Sequence, residues 1–385
     1  VTANRSAADP RGVDVAELCA VGLGAGLHHV GVAGPQPFDG TRVVLEERKE
    51  AGLSADMAFS YRNPSRSTDP SRTLPDVAAV VVGLRAYPAE VEPPPSDVSV
   101  PARVSRYVAG QHYGALGAGL EAVAEHLRAD GWRAVVVYDQ NHLVDRAAAH
   151  RAGLAWWGKN TNLLVPGAGS WFVVGEVLTD APLAPTAAQP VADACGPCRR
   201  CLDGCPTGAL VAPGVLDARR CLAWLLQAPG VFPVEFREAL GDRLYGCDEC
   251  QEVCPPNRRL GSSHPVPAAA AADAWVDVVR LLGVTDAQLL DELGAWYIAR
   301  RDPAFLRRNL LVVLANVATD AAPGSPVEAT LVDHLADERG VVRAHAVWAA
   351  RRLGRPELVS SLATDPDEVV HAELAAPTVA RAGST

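Results

Sequence analysis

Apolar positions along the chain recur with two periods. Residues 15–23 repeat at helical spacing, and a short strand is predicted to follow by about residue 30. Residues 77–84 (VAAVVVGL) form a compact β-branched run suited to a buried strand. Residues 113–130 predict a long Ala/Leu-rich helix, 134–138 a strand, 145–154 a helix and 170–177 a further strand. This alternation up to about residue 185 predicts an α/β domain. Asp139 follows one of its strands, the end at which such domains place ligands. The same position also suits a turn or a helix cap. The Pro-rich stretches near 88–98 and 255–268 read as loops.

Beyond about residue 270 the pattern is almost wholly helical, with apolar spacing over 305–317, 327–336, 341–353 and 368–374. Arg307, Arg308 and Arg343 stand at the openings of two of these helices, about one helix pair apart, which predicts paired-helix repeats of the HEAT type. With 385 residues, 49% of them hydrophobic, the chain has material for two or three domains. No apolar run is long enough to span a membrane, and residues 1–10 carry no apolar signal core, so a cytoplasmic location is expected. A net charge of −10 argues against general nucleic-acid binding. The Arg residues of the last hundred positions leave open a local basic face, or equally a solvated helix surface. Only two of the 35 basic residues are Lys, Lys49 and Lys159.

Eight of the nine cysteines fall between 195 and 254. Cys195, Cys198, Cys201 and Cys205-Pro206 form the C-x2-C-x2-C-x3-C-P run of bacterial ferredoxins, in which the fourth Cys serves the other cluster. Cys247, Cys250 and Cys254-Pro255 repeat the ending and lack one ligand, which Cys221 supplies. The exchange predicts two [4Fe–4S] sites: Cys195, Cys198, Cys201 and Cys254 for the first, Cys205, Cys221, Cys247 and Cys250 for the second. A disulfide framework needs an oxidising compartment, and zinc ribbons seldom carry this run. Cys19 lies in an apolar helical stretch and reads as a core residue.

Taken in order, these motifs resemble the epoxyqueuosine reductases, enzymes that complete queuosine in tRNA. The resemblance covers roughly residues 15–355 and is carried by Arg220-Cys221 through Cys254-Pro255, by Ala152-Gly-Leu-Ala-Trp-Trp-Gly158-Lys159-Asn160-Thr161, by Gly169-Ser170-Trp171-Phe172 with Glu176 to Asp180, and by Cys205-Pro-Thr-Gly-Ala-Leu210. Ser105-Arg106-Tyr107 with Gly110 and Tyr113, and Leu306-Arg-Arg-Asn309-Leu310, fit more loosely. The resemblance implies an α/β cobalamin-binding catalytic domain over 1–186, a ferredoxin-like module with two [4Fe–4S] clusters over 187–268, and a HEAT-like α-helical repeat domain over 269–385 that binds the tRNA anticodon arm. It implies base-off cobalamin beside the nearer cluster, with Asp139 as proton donor and Ser105, Asp139, Lys159, Asn160, Tyr245 and Gly246 around the corrinoid. A corrin-facing arginine of the family finds two candidates, Arg66 and Arg72. His142 stands where members vary, and is either a neighbour that perturbs Asp139 or a surface cap.

Lys159 draws attention on its own, since a compact ammonium suits an amide or carbonyl better than a guanidinium does. The tRNA contact is expected from Arg307, Arg308 and Arg343, with electrons relayed from an external flavodoxin or ferredoxin through both clusters to cobalamin in a monomeric enzyme. Asp139 would have to stay protonated near neutral pH, with Trp156 and Trp157 as part of its apolar wall or simply as core. Two other readings keep the clusters: a corrinoid reductase acting on a small molecule, as in reductive dehalogenases, and a non-catalytic ferredoxin-type carrier. The helical tail speaks against the first, and failure to bind cobalamin would favour the second.

Overall fold

The computed structural model describes residues 12–260 and 265–377. Four strands form one sheet in the order His29–Ala33, Ala79–Ala86, Phe172–Thr179, Ala134–Tyr138. Every neighbouring pair is antiparallel. The mixed helix–sheet class agrees with the α/β expectation, but the parallel-sheet rule that favoured Asp139 does not govern this sheet. Another relationship brings ligand-bearing ends together. Ala79–Ala86 and Ala134–Tyr138 both run against Phe172–Thr179, with Ala86 opposite Phe172 and Tyr138 opposite Gly175. Asp139 and Tyr87 therefore leave the sheet at one edge.

The β-branched runs bury both faces of this sheet, as period-two alternation requires. Val81, Val173 and Val177 pack under the helices Val15–Gly24 and His112–Ala129. Val80, Val82, Val137 and Leu178 pack under Asp145–Arg151. Gly83 and Gly175 are register partners beneath Leu120, and a Cβ on them would lie 2.9 and 2.7 Å from its methyl groups. Their bareness lets the long helix settle close to the sheet. Cys19 is half-buried rather than in the core, its thiol 3.9 Å from the Val30 carbonyl.

A second sheet joins distant parts of the chain. Pro101–Val104 pairs in parallel with Arg243–Tyr245 and antiparallel with Trp275–Asp277. The last strand interrupts a stretch expected to be helical. Beyond it, Ala304–Val317 packs on Gly340–Arg352, which also packs on Pro326–Leu335 and Glu368–Ala375. Leu222, Phe232, Leu240 and Leu244 from the cysteine segment enter the same apolar core as Leu310, Val313 and Val347 from the tail. Among the described residues, no helix is long and apolar enough to cross a membrane.

Candidate functional site

The eight clustered thiols are all free of disulfides and fall into two groups. Cys254 has Cys195, Cys198 and Cys201 as its electrostatic neighbours. Cys250 has Cys205, Cys221 and Cys247. The structure thus brings together the two sets of four that the exchange pattern predicts. Burial pushes Cys254 up to about 11 and Cys247 up to about 12, and raises Cys250 and Cys221 as well. Such thiols ionise only beside cationic metal, so the donor chemistry fits iron–sulfur.

Charge and amide networks hold the second set against the sheet. Asp248, the residue after Cys247, accepts the Ser105 hydroxyl, the Arg106 main-chain N–H at 2.9 Å and the Arg106 guanidinium at 3.1 Å. Glu252 takes Arg106 at 2.6 Å and Arg103 at 3.0 Å. Gln251 Nε2 donates to the Tyr87 hydroxyl at 3.2 Å and to the Ser170 carbonyl at 3.1 Å. Asn257 Nδ2 donates to the Ser170 hydroxyl at 2.9 Å. Tyr87 and Ser170 come from the end of the first sheet where Asp139 emerges, whereas Arg103, Ser105 and Arg106 come from the strand Pro101–Val104 of the second sheet and the residues just after it. Because the groups are buried and mutually satisfied, the junction is rigid.

Around that edge lies a corner of phenols. Tyr245 immediately precedes Gly246 and Cys247, and stacks on Trp296 with ring centroids 4.6 Å apart. Its hydroxyl accepts the Tyr297 N–H at 2.9 Å. Ser105 donates its main-chain N–H to the Tyr245 carbonyl at 2.8 Å. Gly246 has φ of 72°, and a Cβ there would stand 2.4 Å from Ser105 Cβ. Glycine is therefore required at this turn. Asp139 also adopts a left-handed backbone, with φ of 50°. The residue is exposed, yet desolvation raises its carboxyl above the ordinary value. Its charge reaches Tyr113 and Tyr245, both raised chiefly by burial, Tyr245 to about 12. Both phenols stay neutral near pH 7.

Behind Asp139 lies a pair that the sequence did not single out as functional. Glu176, in the middle of the central strand, is 0% exposed, and neither of its oxygens has a hydrogen-bond donor among the described residues. The group beside it is the carboxyl of Asp145, at the start of the helix Asp145–Arg151. Burial, and then the mutual charge, raises Glu176, while burial raises Asp145 to about 7. A carboxylate within an eight-residue apolar strand was the available signal. Tyr113, Tyr107 and Asp248 also belong to this region and were not expected as site residues.

Other expected residues lie elsewhere. The Lys159 ammonium donates to the carbonyls of Gly196 and Cys198, the latter at 3.0 Å. It steadies the first thiol loop. Asn160 Nδ2 donates to the Cys250 carbonyl at 3.1 Å, beside the second set. Trp156 is buried and packs with Cys254 and Cys195, and Trp157 sits near His150. Arg66 and Arg72 are exposed. The main-chain carbonyl of His142 accepts Thr73 Oγ1 at 3.3 Å.

The expected basic face is corrected most strongly. Arg307 is 6% exposed, and donates to the Leu282 and Val284 carbonyls and to Asp286. Arg308 is 0% exposed, and its guanidinium ties the carbonyls of Leu225, Ala228 and Gly230. Arg343 is held by both oxygens of Asp365 at 2.7 and 2.9 Å. These side chains satisfy helix ends and acids inside the protein. The exposed arginines nearest the phenol corner in sequence are Arg300 and Arg301, both with positive φ, a few residues after Tyr297.

The family described as 4Fe-4S double cluster binding domain matches residues 194–257. The curated epoxyqueuosine reductase of Bacillus subtilis is 31% identical over 370 residues, covering 93% of each chain. A crystal structure of epoxyqueuosine reductase with an epoxyqueuosine-modified tRNA-Tyr stem loop superposes with a TM-score of 0.84 at 30% identity, covering 93% of this chain and 96% of that one. A Bacillus subtilis epoxyqueuosine reductase whose catalytic aspartate loop is swung out of the active site superposes at 0.83, with 30% identity and the same coverage.

Proposed function

We propose that this chain, which belongs to the epoxyqueuosine reductase family, reduces the epoxide of epoxyqueuosine to the alkene of queuosine in the anticodon loop of tRNA. The likeness over 93% of the chain to a reductase bound to an epoxyqueuosine-modified stem loop is the observation that carries the reading. The reaction takes two electrons and two protons and releases the oxirane oxygen as water.

The chain's own residues divide this work. Asp139 protonates the departing oxygen, because an oxirane oxygen leaves poorly without an acid. Its raised carboxyl and its place on an exposed left-handed turn suit a donor at the rim of the site. Tyr113 and Tyr245, both neutral, offer hydroxyl hydrogen-bonding capacity beside it. The two thiol sets, Cys195, Cys198, Cys201 and Cys254 and then Cys205, Cys221, Cys247 and Cys250, would each hold a [4Fe–4S] cluster, which would supply one-electron chemistry.

Cobalamin fits what this corner leaves uncovered. Phe59 and Tyr297 are 39% and 45% exposed, edge to face at 5.5 Å, with Tyr297 hydrogen-bonded to Tyr245. Exposed aromatic surface of this kind accepts a large macrocycle. Phe59, Tyr297 and the Tyr245–Gly246 turn would hold it, with Ser105 fixing the turn from behind. When bound, it supplies the low-potential metal centre that side chains lack.

We read residues 1–186 as the catalytic domain, 187–268 as the cluster module and 269–385 as HEAT-like repeats that bind tRNA. The RNA contact is assigned to the edge formed by Tyr297, Arg300 and Arg301. The test is anaerobic reconstitution with iron, sulfide and cobalamin, followed by reaction with epoxyqueuosine-containing tRNA and nucleoside mass analysis. Queuosine formation that requires both cofactors supports the reading. Failure to convert the tRNA while cobalamin and both clusters are bound overturns it.

A further inference from the structure

The first thiol set opens onto a groove of about 590 Å³ whose walls include Cys198, Arg199, Arg200, Asp203, Arg258 and Arg259. Four guanidinium groups thus face one carboxylate in a chain of net charge −10. All four arginines are exposed. Arg199 makes only a long contact with Asp203, 3.8 Å between two exposed side chains. Such a pair holds its arginine weakly. Arg200, Arg258 and Arg259 form no ion pair with a described residue. This contrasts with Arg307, Arg308 and Arg343, whose donors are taken up by carbonyls and carboxylates. The groove arginines have their charge available for something outside the chain.

Their position narrows the choice. The groove reaches Cys198, a member of the first thiol set, whereas Asp139, Tyr245 and Gly246 adjoin the second. Lys159 adds a further cation behind the same loop. A one-electron donor must approach a cluster closely, and the groove's wall includes Cys198 of the first thiol set, whereas Asp139, Tyr245 and Gly246 are not among its lining residues.

We propose that the arginine-rimmed groove at Cys198 is the docking site of an acidic, low-potential, one-electron carrier protein. The inference rests on the reductase reading above and assigns its electron entry. At each encounter the reduced flavin or iron–sulfur centre of the carrier loses one electron, and the cluster of the first thiol set gains it, with no bond made or broken. Two encounters supply the pair of electrons that, with two protons, converts epoxide to alkene and water. Opposite charges steer such encounters and make their rate fall with salt.

The experiment uses the full chain reconstituted with both clusters, and flavodoxin hydroquinone as the probe. Arg258→Glu/Arg259→Glu is compared with the parent and with the milder Arg258→Gln/Arg259→Gln, which guards against a folding defect. Stopped-flow bleaching of the cluster absorbance is expected to slow at least tenfold at low salt in the Glu pair, less in the Gln pair, with the salt dependence flattened. Bleaching by dithionite, iron content and tRNA affinity are expected to stay at parent levels. Unchanged flavodoxin kinetics in both variants overturn the proposal. Weaker tRNA binding with unchanged flavodoxin kinetics also overturns it and makes the groove an RNA site. Dithionite-driven conversion of epoxyqueuosine tRNA tests the reductase reading separately, so a failure of one is not mistaken for a failure of the other.

Discussion

The carboxyl of Asp145 lies against the carboxyl of Glu176 in the layer between the central sheet and the helix that follows the Asp139 loop. Two carboxyl groups can hydrogen-bond only when one carries a proton. Glu176 has no donor from elsewhere among the described residues, and Asp145 has Arg146 as its countercharge with Asp139 opposing it. Burial and the mutual charge therefore both favour a proton on this pair, beneath the loop of the proposed acid.

This has a consequence for stability. Both folded-state pKa values lie above their ordinary values, Asp145 at about 7. The stabilisation is fully present below the unfolded carboxylate range and is lost as pH rises through the folded values. Glu176→Gln supplies an amide N–H for Asp145 without needing a proton. The variant is expected to be more stable than the parent at pH 8, by about 1–3 kcal/mol, the cost of an unsatisfied buried polar group. The gain should shrink towards pH 4. Thermal melts across that range measure it, and a parent-like slope in the variant would refute the shared proton.

Asp139→Asn keeps the left-handed backbone that Asp tolerates at φ of 50°, and removes the acid. Turnover is expected to fall by about 10²- to 10⁴-fold, the usual worth of a positioned general acid. Cluster absorbance and cobalamin binding should be unchanged. In the parent, the rate should decline as pH rises through the raised carboxyl value, since only the protonated form donates. A pH–rate profile retaining the same limb in the Asn variant would remove Asp139 from the mechanism.

The cluster ligands were legible because their spacing is local and each Cys announces its neighbours. The strands of the first sheet were legible too, for β-branched runs such as 134–138 mark themselves. Their direction was not, because nothing within a strand says which way its partner runs. Pro101–Val104 and Trp275–Asp277 are short, and their pairing joins residues far apart in the chain, so no local pattern reveals them. Arg307 and Arg308 were misread although a signal was present. The helix Ala304–Val317 is apolar nearly all round, and its residues from Ala304 to Ala315 are buried. A helix of that kind belongs in a core, and an arginine on it must find its partners inside.

Gly246→Ala combines two penalties, the left-handed backbone at φ of 72° and a contact of 2.4 Å with Ser105 Cβ. Gly167→Ala carries the first alone, with φ of 71° and nothing within 4 Å. The Gly246 variant is expected to be destabilised by about 1–3 kcal/mol more than the Gly167 variant, the range for overpacking a tight site. It should also bind less iron, because Cys247 follows directly. Comparable melting temperatures and iron content in the two variants would contradict the close packing of Ser105 on this turn.

The last prediction separates stability from RNA binding among the arginines. Arg308 anchors the carbonyls at the end of the helix Leu222–Leu225, which follows the ligand Cys221, and burial lowers its pKa to about 9. Arg308→Met leaves those carbonyls unsatisfied and is expected to cost about 1–3 kcal/mol for each one left buried without a donor. Melting temperature and cluster retention should fall together. RNA affinity per folded molecule should not. Arg300→Ala/Arg301→Ala should do the reverse. Both residues are exposed, and the substitution removes the bond from Arg301 to the Gly294 carbonyl. Affinity for the modified stem loop should drop, and the slope of log affinity against log salt should become shallower by about 0.7–0.9 for each phosphate no longer neutralised. If the double variant binds RNA with the parent's affinity and salt slope, the Tyr297–Arg301 edge is not where the RNA docks.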